Sequence, residues 1–66
     1  MNITVNGETK DIQEGTTIQI LLEQLGLNPK TIVVQRNQDI IERADYNTAH
    51  LNHGDTLDLV QFVGGG

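Results

Sequence analysis

Three consecutive glycines, Gly64, Gly65 and Gly66, stand at the end of this chain. The chemistry they offer is that of an α-carboxyl group. With a reference pKa of about 3.3–3.7 it is ionised at neutral pH and is a competent oxygen nucleophile. Attack on the α-phosphate of ATP yields an acyl-adenylate, which then accepts sulfur to give a thiocarboxylate or an amine to give an amide. The residues alone leave both outcomes open. Glycine suits such an end: three extended residues reach about 10 Å, and without a Cβ they pass a channel too narrow for any other residue. The plain alternative is a frayed terminus or a linker. Against it stands the context, because a strand is predicted to run up to Val63, directly before the glycines.

The remaining chemistry-bearing residues point to less. His50 and His53 lie near Asp45 and Asp55, but their spacing is not the i, i+4 of a helical metal pair, and no cysteine assists them. They are expected to be ordinary surface residues, and no metal site is expected. Asp39, Glu42, Asp45 and Asp58 are expected to form a solvated acidic face rather than a general acid/base pair. The chain has no serine, so a Ser-His-Asp triad is excluded. No Gly-x-x-x-x-Gly-Lys loop is present and only four residues are basic. The Mg²⁺ and phosphate clamps for any activation by ATP must therefore come from a partner, and no cofactor is expected on this chain.

Composition narrows the partners. Nine acidic residues against four basic give a formal net charge of −5, which repels phosphate backbones and anionic lipid. Tyr46 and Phe62 are the only aromatics, too few for a base-stacking platform. Neither nucleic acid nor membrane is expected, whereas a basic protein partner would be steered in. With no cysteine, neither a disulfide nor a thiolate is available, and any sulfur the chain carries must ride elsewhere. Met1 leads straight into Asn2-Ile3-Thr4-Val5 with no basic segment and long apolar run, so a soluble cytoplasmic protein is expected.

At 66 residues the chain allows one domain. Ile3-Thr4-Val5, Asn6-Gly7 and Glu8-Thr9-Lys10-Asp11-Ile12 read as a hairpin, because both positions of a type I′ turn need positive φ. Facing Val5 with Glu8 and Ile3 with Lys10 puts Glu8 and Lys10 on the apolar face, which calls for snorkelling stems or a bulge. A T-x-x-Q capping box at Thr16 and Gln19 is expected to open a helix. Its stripe is Ile18, Leu21, Leu22 and Leu25, with Ile20 on the opposite face. Gly26 and Pro29 end it. Thr31 to Arg36 reads as a strand, Asn37-Gln38 as a turn and Asp39 to Glu42 as a short strand. Arg43 to Leu51 has no period and is expected to be loop with one helical turn. Asn52 to Asp55 is a turn cluster.

The final strand, Thr56 to Val63, turns Leu57 and Leu59 one way and Asp58, Val60 and Phe62 the other. Val60, Phe62 and Val63, beside the tail, are expected to dock a partner, with Phe62 as the aromatic anchor. The order β-β-α-β-β-β, with one helix covering one face of a mixed sheet of four to five strands, is an α+β, β-grasp arrangement. The first and last strands are then parallel neighbours in the middle. The domain is expected to occupy 1–63, followed by a flexible glycine tail over 64–66.

The Asn-Gly pair near residue 6, the Thr-x-x-x-Leu-Leu-x-x-Leu run from Thr17 to Leu25, Gly54-Asp55 before the last strand and the ending Phe62-Val63-Gly64-Gly65-Gly66 together resemble the thiamine-biosynthesis sulfur carrier family, over essentially the whole chain. The resemblance implies a ubiquitin-like β-grasp protein that is a co-substrate, not an enzyme, and a monomer when free. It implies that an E1-like adenylating enzyme, using ATP and Mg²⁺, activates Gly66. Sulfur derived from cysteine through a cysteine desulfurase then makes a thiocarboxylate, and a thiazole synthase receives it. Gly65 and Gly66 inherit the reactive role, with Gly64 as spacer. The small subunit of a molybdopterin synthase and a ubiquitin-like protein modifier share the tail and its activation, and stand as alternatives.

Overall fold

The computed structural model describes residues 1–62. Five strands form one mixed sheet in the order β2-β1-β5-β3-β4, where β1 is Asn2–Val5, β2 Glu8–Asp11, β3 Ile32–Arg36, β4 Asp39–Ile41 and β5 Thr56–Gln61. β1 and β5 run parallel, and every other pair is antiparallel. Among the described residues there is one α-helix, α1, spanning Ile18–Gln24. This is the β-grasp arrangement expected, with β5 in the middle of the sheet.

The first hairpin keeps the expected register, Val5 opposite Glu8 and Ile3 opposite Lys10. Asn6 and Gly7 have φ of 48° and 85°, the left-handed pair that a type I′ turn requires. There is no bulge: Glu8 is exposed and Lys10 half-buried on the edge strand, where long stems reach water. Asn37 and Gln38 form a second turn of the same kind, both with positive φ.

The helix packs as its spacing predicts. Ile18, Leu21 and Leu22 are buried in one cluster with Ile3, Val5, Ile32, Val34 and Leu57 from the sheet, and Leu25 lies against it. Removing a side chain such as Leu22 from such a core costs about 2–5 kcal/mol. At the C-terminal end Gly26, at φ 73°, donates its N–H to Glu23 and Leu27 donates to Leu22. These are the two bonds of a Schellman motif.

The N-terminal cap differs from expectation by one residue. Thr17, not Thr16, accepts the Ile20 N–H at 3.2 Å. The Thr16 hydroxyl instead donates to the Gln13 carbonyl at 2.7 Å, and its carbonyl accepts the Leu51 N–H. With Thr16 tied into the loop, the helix starts later, and the Gln19 side chain reaches forward to Glu23 rather than back.

The aperiodic stretch after β4 holds a 3-10 turn over Arg43–Asp45 and then Tyr46, which is buried. This stretch closes the helix. Ile18 and Gln19 donate to the carbonyls of Ala49 and Tyr46, satisfying two N–H groups that a helix start leaves without partners. The Tyr46 hydroxyl donates to the Ile32 carbonyl at 2.7 Å, fastening the loop to β3. Strand boundaries are shorter than expected at four ends: β2 stops at Asp11 rather than Ile12 and β3 begins at Ile32 rather than Thr31. β4 stops at Ile41 and β5 at Gln61, although Phe62 still donates to Thr31 across from β3. No helix among the described residues is long and apolar enough to cross a membrane.

Candidate functional site

Alternation along β5 decides what this strand offers. Leu57 is buried and Leu59 half-buried beneath the helix, whereas Val60 and Phe62 are 59% and 49% exposed. Phe62 is therefore not folded back over the core. The antiparallel register sets Val60 directly opposite Val33 on β3, which is 39% exposed. Directly opposed β-branched side chains lie within about 5.5 Å at Cβ and present one surface. Ile40, 63% exposed on β4, stands opposite Gln35, which in turn faces Asp58. The helix-free face thus carries an apolar group at the C-terminal end of β5, and the charged strand residues sharing that face by alternation, Asp11 and Asp58, are acidic. Val33 and Ile40 extend the surface expected from Val60 and Phe62. Alternation around buried Val34 already turns Val33 outwards, but its place beside Val60 depends on pairing two distant segments.

Two side-chain devices fix β5. At its start the Asp55 carboxylate is buried and accepts from Arg36 Nε at 3.0 Å, from the Asn37 amide at 3.1 Å and from the Asn52 N–H at 2.8 Å, with Arg36 Nη2 in ion-pair contact at 2.8 Å. Asn37 also accepts the Thr56 N–H through its side chain at 2.9 Å. Burial alone would push the Asp55 carboxyl up. The Asn52 and Asn37 hydrogen bonds and the Arg36 charge outweigh it and hold the group below its ordinary value. Farther along, the Asn6 side chain accepts the Leu59 N–H at 2.8 Å and donates to the Leu59 carbonyl at 3.3 Å. Asn6 lies in the turn where β1 ends, so its amide continues the ladder for one more position. Sequence reading missed both devices. Asn6 reads as turn chemistry alone, and Asp55 as one polar residue in a hydrophilic cluster.

The histidines lie at the other end of the sheet. His50 and His53, with Met1, Glu14, Gly15, Leu51 and Asn52, line an open depression of about 450 Å³ near the starts of β1 and β5. His53 Nδ1 accepts the Asn2 N–H at 3.0 Å, which gives this ring a structural task. No group of three metal-ligating side chains occurs among the described residues. Asp39, Glu42, Asp45 and Asp58 are all exposed. Val63, Gly64, Gly65 and Gly66, where the reactive end and part of the docking surface are expected, lie outside the described residues, as does the boundary between domain and tail.

A mixed sheet grasping one helix, with a central strand that leads into the C-terminal residues, defines a ubiquitin-like β-grasp protein. Residues 3–66 match the model of the ThiS family, and the chain belongs to that family. It is 37% identical to the sulfur carrier protein ThiS of Bacillus subtilis, covering 97% of this chain and 98% of that protein. The crystal structure of the thiamine biosynthesis protein ThiS from Geobacter metallireducens superposes with a TM-score of 0.85 at 29% identity, covering the whole of both chains. The chain is also 35% identical, over all 66 residues, to a thiazole synthase of Paramagnetospirillum magneticum, of which it spans only 20% of the length. A thiazole synthase of Magnetococcus marinus is matched in the same way, at 38% identity.

Proposed function

We propose that this chain is a sulfur carrier for thiamine biosynthesis that works through the carboxylate of Gly66. The observation that carries the reading is the end-to-end likeness to the Bacillus subtilis sulfur carrier, on a chain whose glycine ending is chemically fit for the task. A carboxylate oxygen of Gly66 attacks the α-phosphate of ATP held with Mg²⁺ by an E1-like adenylating enzyme, and pyrophosphate leaves. The outer sulfur of a persulfide on the cysteine desulfurase attacks the acyl carbon and expels AMP, giving an acyl disulfide. A thiol then attacks the enzyme's sulfur in that disulfide, so that the thiocarboxylate leaves and the two thiol sulfurs remain joined as a disulfide. The chain contributes a slim reach and a docking surface and supplies no catalytic side chain, so it acts as a co-substrate.

Thiazole synthase is the proposed acceptor. Support comes from the two thiazole synthases that contain a segment like this whole chain, since joining in one polypeptide keeps a donor beside its user. Val60 and Phe62, exposed next to the tail, support a docking role for this end of β5, and Val63 is proposed to continue it. Gly65 and Gly66 enter the partner's site and Gly64 spaces them from the sheet. The test is reconstitution with the adenylating enzyme, desulfurase, thiazole synthase and isotopically labelled cysteine. Label in the thiazole, dependent on this protein, is the expected result. Thiazole formed equally without the protein would overturn the reading, as would transfer of the sulfur to a molybdopterin precursor instead.

A further inference from the structure

The edge of β5 that faces β1 changes character along its length. Near the start, Thr4 donates to the Asp55 carbonyl and Asn6 donates to the Leu57 carbonyl, so β1 covers this edge. β1 then ends and the chain turns away through Asn6 and Gly7 into β2. The Asn6 side chain serves the next position, taking both the N–H and the carbonyl of Leu59. The position after that is Gln61. On the other side of β5, Phe62 donates to Thr31, and backbone groups of an antiparallel strand point alternately to its two neighbours. The N–H and carbonyl of Gln61 therefore point to the β1 side. Among the described residues neither has a partner, and Gln61 is exposed.

We propose that this open edge at Gln61 is a strand-pairing site, and that its occupant is an extended segment of the adenylating enzyme that receives the tail. The inference rests on the carrier reading above. Gly64, Gly65 and Gly66 have no side chains, so an enzyme that threads them can recognise only their backbone. The five residues that follow Gln61, 62 to 66, span at most about 18 Å. An enzyme that touches the terminal carboxylate thus runs close to the open edge. A strand laid there takes up the line that β1 leaves, with Asn6 as its stop. It satisfies two backbone groups that would otherwise be covered without partners when Val60 and Phe62 dock.

The test compares two substitutions in the full-length protein. Gln61→Pro removes the N–H on the open edge, at a position where the β5–β3 ladder makes no use of it and proline is tolerated. Gln61→Ala removes only the side chain. In adenylation assays with the E1-like enzyme encoded in the same genome, read as ATP–pyrophosphate exchange, Gln61→Pro is expected to lower kcat/KM about tenfold. Gln61→Ala is expected to stay within about twofold of the parent. Equal rates for the two variants overturn the pairing site while leaving the carrier reading intact. No exchange even with the parent protein overturns the carrier reading and the pairing site with it. Amide hydrogen exchange on the unsubstituted protein removes any dependence on the proline variant's folding. The Gln61 amide is expected to slow at least tenfold in complex with the enzyme, and an unchanged rate contradicts the proposal.

Discussion

Replacing Asp55 by alanine should destabilise this protein more than any other single surface-loop change. The substitution removes the acceptor of three hydrogen bonds at 2.8–3.1 Å and leaves the Arg36 guanidinium without its counter-ion. Breaking a buried ion pair from one side costs about 3–5 kcal/mol. The Arg36 side chain is still 19% exposed and regains some water, which places the loss at the lower end, about 3 kcal/mol. A domain of this length has about 3–10 kcal/mol in total, so the variant should be partly unfolded or should melt about 12 °C or more below the parent. Urea and thermal denaturation followed by circular dichroism measure this directly. The sign of the pH dependence follows from the depressed carboxyl. In the unfolded chain Asp55 titrates near pH 3.9. Folded, it titrates lower, so its contribution is fully present above about pH 5 and is lost as the pH falls through the folded value. The stability gap between the parent and Asp55→Asn should therefore narrow towards pH 3. A loss below about 1 kcal/mol for Asp55→Ala, or a gap equally wide at pH 3 and pH 7, would refute the reasoning.

Other outcomes follow from the same contacts. Tyr46→Phe should cost about 1–2 kcal/mol in urea denaturation, because it deprives the buried Ile32 carbonyl of its 2.7 Å donor without emptying the site. Phe62→Ala should leave the melting temperature within a few degrees of the parent, since the ring is half exposed, yet weaken binding to the adenylating enzyme by about 2 kcal/mol, some thirtyfold. Calorimetric titration against that enzyme reads this, and unchanged affinity removes Phe62 from the docking surface. With a net charge of −5, the association rate with that enzyme should fall as salt is raised from low to physiological concentration. Stopped-flow mixing reads the rate, and a rate independent of salt argues against a basic rim on the partner.

What the sequence disclosed, and what it hid, divides along a physical line. Local requirements were legible: Asn6-Gly7 and Gly26 announce left-handed backbone, and the stripe from Ile18 to Leu25 announces a buried helix face. Alternation in β5 separated Leu57 and Leu59 from Val60 and Phe62. Features decided by distant partners were not legible. Thr16 and Thr17 are equally able caps, and the choice fell to Thr17 because the Thr16 carbonyl pairs with Leu51, 35 residues away in sequence. Tyr46 looked like one residue of an aperiodic loop. Its place is fixed by distant partners, because two of that loop's carbonyls serve the start of α1. The candidate site was legible at Val60 and Phe62 but not in its neighbour Val33, whose position depends on strand register. Asn6 gave no sign that its side chain would hold Leu59, because the parallel pairing of β1 with β5 is itself a long-range event.

The central claim is that sulfur is carried on the carboxyl of Gly66, and intact-protein mass spectrometry tests it most directly. The protein is incubated with ATP, the adenylating enzyme and a cysteine-derived sulfur source, alongside a variant lacking Gly66. The account predicts the mass change of one oxygen exchanged for one sulfur in the parent, localised to the C-terminal glycine, and none in the truncated protein. An unmodified parent under conditions where the enzyme consumes ATP, or equal modification of the truncated protein, would contradict it.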